Sequence, residues 1–279
     1  MMRQQQHLNG LVTLHSSLLD EINITHAFTT RVGGVSPIPC DSLNLASPLT
    51  ATVDEVPRIA HNFRRLRAAL NLERIIRMAV NQVHGHDIFI PDDKPTNPNC
   101  APKADAIITH RSARMLTIRT ADCLPILIAN KQGDLIAAVH AGWRSLVAGI
   151  IPNTIHAMLS YHDSTSAQAS PSDFIAAIGP AISAEHFEIS QDVADQFIQN
   201  NLAPAVITKP HWPKLHIDLM LAARIQLESF GLPSGQIDTS FPCSYANTDQ
   251  FFSHRRDVTH NHLSTTGRHA AIIAIPSVD

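Results

Sequence analysis

Residues 104–141 read ADAIITHRSARMLTIRTADCLPILIANKQGDLIAAVHA. Four short apolar runs lie inside this stretch: ADAIIT (104–109), MLTIRT (115–120), LPILIA (124–129) and LIAAVHA (135–141). Each is bounded by polar or glycine residues. Runs of this length read as strands buried on both faces. Upstream, IIRMAV (75–80) has the same character, and INITHAF (22–28) alternates weakly, as a strand does. Downstream, FIAAIG (174–179) and HAAIIAI (269–275) complete the sheet material.

Helices flank these strands. From Asp54 to Leu70, Val56, Ile59, Ala60, Phe63, Leu66 and Leu70 recur at three- and four-residue spacing. This predicts an amphipathic helix with Pro57 in its first turn. Helical patterns return at 145–160, 191–201 and 217–230, the last ending at Gly231, a C′ glycine. Between Thr30 and Ala46 the Gly33-Gly34 pair and the prolines exclude a helix. The Pro-rich segment 91–102 and the polar segment 161–173 read as loops. Bunched strands with flanking helices predict an α/β (α+β) chain forming one domain over residues 1–279.

Composition narrows the function. The chain has 279 residues, Lys+Arg 21 against Asp+Glu 24, and a formal charge of −3. That balance argues against a nucleic-acid binder, which needs a basic surplus. The longest apolar runs fall short of a membrane span, and the N-terminus MMRQQQHLNG has no apolar core of a signal peptide. The 4 cysteines are scattered and include no C-x-x-C pair, which suits a reducing compartment, the cytoplasm. Histidine is the unusual count, at 17.

Three segments place a metal-binding type of residue at the end of a buried strand: Asn81-Gln82-Val83-His84-Gly85, Thr120-Ala121-Asp122-Cys123 and Ala138-Val139-His140-Ala141-Gly142-Trp143-Arg144. Loops fed by strand ends commonly present functional groups. His84, Cys123 and His140 together offer one thiolate and two imidazoles, a set suited to Zn²⁺ with one position left open. Spacing alone leaves two other readings open. Cys123 could be a small core residue with both histidines satisfied locally, or a nucleophile activated by His140. Arg31, Arg144, Arg255, Arg256 and Arg268 lie in loops rather than on helix faces, and arginine suits bidentate binding of phosphate or carboxylate. Solvated or ion-paired arginines would look the same in sequence. Trp143 is placed either to stack on a flat ligand or to pack in the core.

Taken together, these motifs resemble the YfiH-type laccase-domain (polyphenol oxidase) family, whose members are also described as purine nucleoside phosphorylases and as a peptidoglycan editing factor. The resemblance runs from HAFTTRVGGVS (26–36) through NQVHG, ADAIIT, TADCLPI, AVHAGWRS, IGPAIS and FEIS to FFSHRRD (251–257) and TGRHAAIIAI (266–275). It implies a layered sandwich of mixed sheet covered by helices, similar to cysteine hydrolases. It also implies His84, Cys123 and His140 as ligands of zinc, with copper in the oxidase description. The activity implied is phosphorolysis of adenosine, inosine, guanosine and methylthioadenosine, with adenosine deaminase as a side activity. The substrates would be purine nucleosides and phosphate, with no nucleic-acid or membrane partner. A cell-wall hydrolase and a copper phenol oxidase are the alternatives. Two departures stand out: Ser145 where the motif usually ends in glycine, and His254 where it usually has tyrosine.

Overall fold

The apolar runs become strands, and the chain threads them through two sheets in turn. The computed structural model describes residues 2–47, 56–91, 101–163 and 170–275. In chain order the first strands are β1 (Met2–Gln6), β2 (Val12–Ser16), β3 (Thr25–Thr29), β4 (Ile76–Ala79) and β5 (Ile88–Phe89). Next come β6 (Ala106–Thr109), β7 (Arg114–Thr120), β8 (Leu124–Asn130), β9 (Ile136–Ala141) and β10 (Phe174–Ile178). The last are β11 (Glu188–Ile189), β12 (Val206–Ile207), β13 (Leu215–Ile217), β14 (Ile237–Asp238) and β15 (His269–Ile275). The helices are α1 (Ser17–Glu21), α2 (Val56–Ala69), α3 (Trp143–Val147), α4 (Ile150–Asp163), α5 (Gln191–Gln199) and α6 (Leu219–Ser229).

One sheet runs β1-β2-β3-β15-β7-β4, the second β14-β10-β8-β9-β6-β5, and a small third β11-β13-β12. Pairing is mixed: β4–β7, β5–β6 and β10–β14 are parallel and the other pairs antiparallel.

The two large sheets lie face to face. Leu116, Ile118, Ala271 and Ile273 of the first pack with Ile107, Leu127, Ala138 and Ala177 of the second. Alternate residues of the same strands face outward. In the first sheet Met115, Ala270 and Ile272 pack with Ile59, Phe63 and Leu66 of α2. In the second, Ile126, Val139 and Ala176 pack with Ile151, Ile155 and Ala223 of α4 and α6. Helix, sheet, sheet and helix therefore form successive layers. Burial on both faces is why the strands read as continuous apolar runs.

Several expectations need adjustment. The helix expected over 145–160 begins at Trp143 and is broken into α3 and α4 at Gly149, whose φ of +80° favours glycine. The loop expected from 161 starts later, since α4 continues to Asp163; residues 164–169 lie outside the described residues. So do 92–100, most of the Pro-rich segment, and residues 48–55. The α6 boundary agrees better: the Asp218 carboxylate caps the Leu221 N–H at 2.9 Å, and Gly231 follows with φ +105°. The hairpin β1–β2 was not readable. The run MRQQQ has no apolar period, and it is held as an edge strand by its backbone pairing to β2.

Candidate metal and substrate site

The crossing between the two sheets builds the site. β7 ends in the first sheet at Thr120, and β8 starts in the second at Leu124. Ala121-Asp122-Cys123 spans the gap, with Asp122 at φ +100°. An aspartate held there carries backbone strain, and its carboxylate is fastened at both oxygens. Ser244 Oγ donates to Oδ1 at 2.7 Å and the Arg255 N–H to Oδ2 at 2.7 Å. This tie fixes the turn that presents Cys123. In β9, His140 lies opposite Pro125 and Ala141 opposite Leu124. Cys123 and His140 thus share one end of the β8–β9 pair.

The third candidate ligand, His84, arrives on the loop after β4. The Asp105 carboxylate, fully buried at the start of β6, holds this loop. The N–H groups of Val83, His84 and Gly85 donate to it at 3.2, 3.0 and 2.7 Å. The same carboxylate accepts from His140 Nδ1 at 2.7 Å. With Nδ1–H committed, His140 is left with Nε2 for a ligand. Asp105 therefore sets the position of one histidine and the tautomer of the other. The sequence reading did not single it out, although an acid inside the otherwise apolar run ADAIIT was a visible signal.

The donor atoms of His84, Cys123 and His140 all lie within 4.8 Å of one another. Cys123 Sγ is 3.9 Å from His84 Nε2, and the two imidazoles meet edge to face at 4.8 Å between ring centres. Ligand atoms about 2.0–2.3 Å from a tetrahedral metal stand about 3.3–3.8 Å apart, and the Cys123–His84 pair at 3.9 Å is close to that spacing. Gly142 keeps the space open. A Cβ there would come within 3.0 Å of His84 Cδ2 and 3.2 Å of Cys123 Sγ. Electrostatics favour the ligand form of the cysteine. Burial opposes both charges, yet His140 and then His84 draw the Cys123 thiol down to about 6. Burial likewise opposes the His140 cation, but Cys123 and Asp105 raise it to about 9. A thiolate is thus available at neutral pH. The residues present fit a metal.

One other group of three candidate ligands occurs among the described residues, His15, Asp20 and His26. His26 has no free nitrogen: Nε2 accepts the Ser16 N–H and Nδ1 bonds the Ile24 carbonyl.

Around the triad is a cavity of about 440 Å³. Asn81, Gln82, Thr120, Trp143, Ile182, Phe187, Leu219 and His254 line it, with four arginines: Arg119, Arg144, Arg255 and Arg268. The Arg144 guanidinium stacks on Trp143 at 4.3 Å and that of Arg255 over Phe187 at 5.0 Å. Two expected arginines do not belong to this lining. Arg31 donates to the Asp41 and Thr248 carbonyls, pairs with the Asp41 carboxylate at 2.9 Å and covers Phe252. Arg256 is buried, pairs with Asp257 at 2.7 Å and donates to the Ser244, Tyr245 and Phe251 carbonyls. Both hold the C-terminal loop. In their place the structure adds Arg119, hidden in sequence inside MLTIRT. A larger, shallower groove of about 600 Å³ runs along β11 and β13 between Glu188 and Trp212; none of the three triad residues lines it.

A layered α+β sandwich with a His₂Cys cluster at the sheet crossing defines a class, and comparison with known proteins gives it a name. The family model described as multi-copper polyphenol oxidoreductase laccase matches residues 25–276, and the chain belongs to that family. This bears out the resemblance read from the motifs. A purine nucleoside phosphorylase of Bacteroides thetaiotaomicron is 35% identical over 252 residues, covering 87% of this chain and 90% of the relative. Purine nucleoside phosphorylase YfiH of Escherichia coli is 35% identical, covering 88% and 91%. Among solved structures, YlmD from Geobacillus stearothermophilus superposes with a TM-score of 0.83 at 27% identity, covering 98% of this chain and 99% of its own. The Bacillus licheniformis protein YfiH gives 0.82 at 25% identity, covering 98% of each chain.

Proposed function

We propose that the chain is a zinc-dependent purine nucleoside phosphorylase of the cytoplasm, with residues 1–279 acting as one catalytic domain. Its substrates are phosphate with adenosine, inosine, guanosine or methylthioadenosine, and adenosine deamination is a side activity. The observation that carries this reading is one cavity in which the His84–Cys123–His140 triad faces four arginines. The curated names of relatives at 35% identity support it. The thiols of Cys123 and Cys243, in no disulfide among the described residues, suit a reducing compartment.

In phosphorolysis a phosphate oxygen bonds to C1′ of the ribose as the bond from C1′ to the purine nitrogen breaks. The bonding pair leaves with the base, which takes up a proton. Such a step depends on positioning and on charge placed where it develops. The guanidiniums supply the positive field, and Trp143 and Phe187 offer faces for a flat base. Asp105 holds His140 and the His84 loop in place, and Gly142 leaves the ligand atoms room. Zinc, held by His84, Cys123 and His140, would supply a Lewis acid and an acidified water, the chemistry that deamination needs.

A second reading draws on one specific arrangement. Asp105, His140 and Cys123 stand in the order carboxylate, imidazole, thiol, as in a thiol hydrolase. It predicts amide hydrolysis of a cell-wall muropeptide that persists in chelator and is abolished by iodoacetamide. Copper with oxygen uptake on a phenol would favour the oxidase reading instead. The decisive assay is zinc-loaded protein with inosine and phosphate, read as hypoxanthine and ribose 1-phosphate. No product from any of the four nucleosides would overturn the proposal.

A further inference from the structure

The four cleft arginines divide into two pairs with different surroundings. Arg144 and Arg255 lie against Trp143 and Phe187. Arg119 and Arg268 belong to the floor. In the β7–β15 register Arg119 is opposite Ala270, and Arg268 precedes Ala270 by two residues. The two arginines therefore project from the same sheet face as diagonal neighbours, a spacing of about 7–8 Å between backbones.

Each guanidinium is anchored at one end. Arg119 Nη2 donates to the Val80 carbonyl at 2.7 Å, and Gln82 clamps the Arg119 backbone through both its amide atoms at 2.7 and 2.9 Å. Arg268 Nη1 donates to the Thr266 and Gly267 carbonyls at 2.9 and 3.0 Å. The remaining N–H groups of both have no partner among the described residues. Neither forms an ion pair there. Asp122 is the acid of the cleft lining, and both its oxygens are already taken.

We propose that Arg119 and Arg268 form a preorganised oxyanion subsite in the floor of the cleft, and that its ligand is inorganic phosphate. Two held cations side by side, with no salt bridge of their own among the described residues, repel each other, and a tetrahedral dianion bridging their free edges removes that repulsion. Burial and then Arg77 and Arg268 pull Arg119 down to about 10, so it remains a cation at neutral pH. Arg268 shares the cleft with Cys123, so the bound anion stands beside the ligand triad. The two aromatic-backed arginines are then left for the nucleoside. This assignment rests on the phosphorolysis reading for the role of the anion, not for its binding.

The test has two arms, using the intact chain loaded with zinc. Calorimetry with inorganic phosphate alone is run on wild type, Arg268→Gln, Arg119→Gln and Arg144→Gln, with circular dichroism confirming folding. Adenosine 5′-monophosphate is titrated in parallel. Phosphate affinity should fall at least tenfold in both floor variants and less than threefold in Arg144→Gln, with part of the loss restored by Arg268→Lys. In steady state the KM for phosphate should rise at least tenfold in Arg268→Gln while the KM for inosine stays within twofold. The subsite is overturned if wild type binds no phosphate, if the floor variants bind it within threefold of wild type, or if both KM values rise together. It is also overturned if only the nucleotide binds through this pair. Phosphate binding lost in Arg268→Gln, in a protein that turns over no nucleoside, would uphold the subsite and reject the phosphorylase reading.

Discussion

Replacing Asp105 by asparagine tests the framework of the site most directly. The carboxylate is fully buried and accepts four hydrogen bonds, three from the N–H groups of residues 83–85 and one from His140 Nδ1. Asparagine keeps the volume but loses the charge, and it turns an NH₂ group toward groups that are themselves donors. A hydrogen bond to a charged group contributes about 1.5–3 kcal/mol, and a donor left unpaired in the interior costs about 1–3 kcal/mol. The loop N–H groups can turn to water because Val83 and His84 are exposed. His140 cannot, since it is 3% exposed. The expected stability loss is therefore about 2.5–6 kcal/mol, the size of one buried charged bond plus one orphaned donor. His140 is also freed to turn or change tautomer, which should weaken metal binding about 10–100-fold. Urea unfolding of the metal-free protein and zinc competition against a chromogenic chelator measure the two effects separately. A zinc affinity within twofold of wild type, with an unchanged urea midpoint, would refute the role assigned to Asp105.

Other perturbations separate the site from its scaffold. Gly142→Ala pushes a methyl to 3.0 Å from His84 Cδ2 and 3.2 Å from Cys123 Sγ; zinc affinity should drop at least about tenfold while the thermal midpoint changes little, and unaltered zinc binding would show that the gap is not needed. Cys123→Ala should lose bound metal, read by elemental analysis, together with phosphorolysis; activity surviving without metal would remove the metal from the mechanism. Arg256→Met should cost about 3–5 kcal/mol by leaving Asp257 buried and unpaired, whereas a raised phosphate KM at unchanged stability would return Arg256 to the substrate site. Burial, then His26 and Arg3, lowers His15 to about 3, and burial, then Arg268, Arg31 and Arg256, lowers His269 to about 3. Both stay neutral when folded but take a proton near 6.5 when unfolded, so stability is lost as pH falls, by about 1.4 kcal/mol per unit for each histidine. Between pH 5 and 4, below the range around 6 and around 9 in which Cys123 and His140 titrate, urea midpoints should fall steeply, and a flat profile there would contradict the neutral buried state of these two histidines.

Much of the architecture was legible because both faces of each large sheet are buried. Continuous apolar runs mark such strands, and eight-residue or shorter lengths separate them from helices. The capped helix α6, from Asp218 to Gly231, was readable for the same local reasons. The edge strand β1 was not, because MRQQQ is held by pairing to β2 rather than by any apolar period. The break at Gly149 was also missed, since helical periodicity persists across it.

For the site, the residue types alone named His84, Cys123 and His140, since strand ends bearing thiol and imidazole are few. Their convergence was a tertiary fact. Cys123 and His140 meet because the chain changes sheets at residues 121–123 and β8 pairs with β9 in one register. His84 joins them because a buried carboxylate gathers its loop. The arginines divide on the same ground. Sequence marks a guanidinium but not where its donors are spent, and hydrogen-bond partners far along the chain decide that. Thr248 and the Asp41 loop take up Arg31, and three backbone carbonyls with Asp257 take up Arg256. Arg119, inside an apolar strand where sequence suggested only core, is left with free donors in the cleft. Of the 17 histidines, the surplus itself carried no information; the fold makes His140 a candidate ligand and His269 a neutral core residue through the partners it gives each.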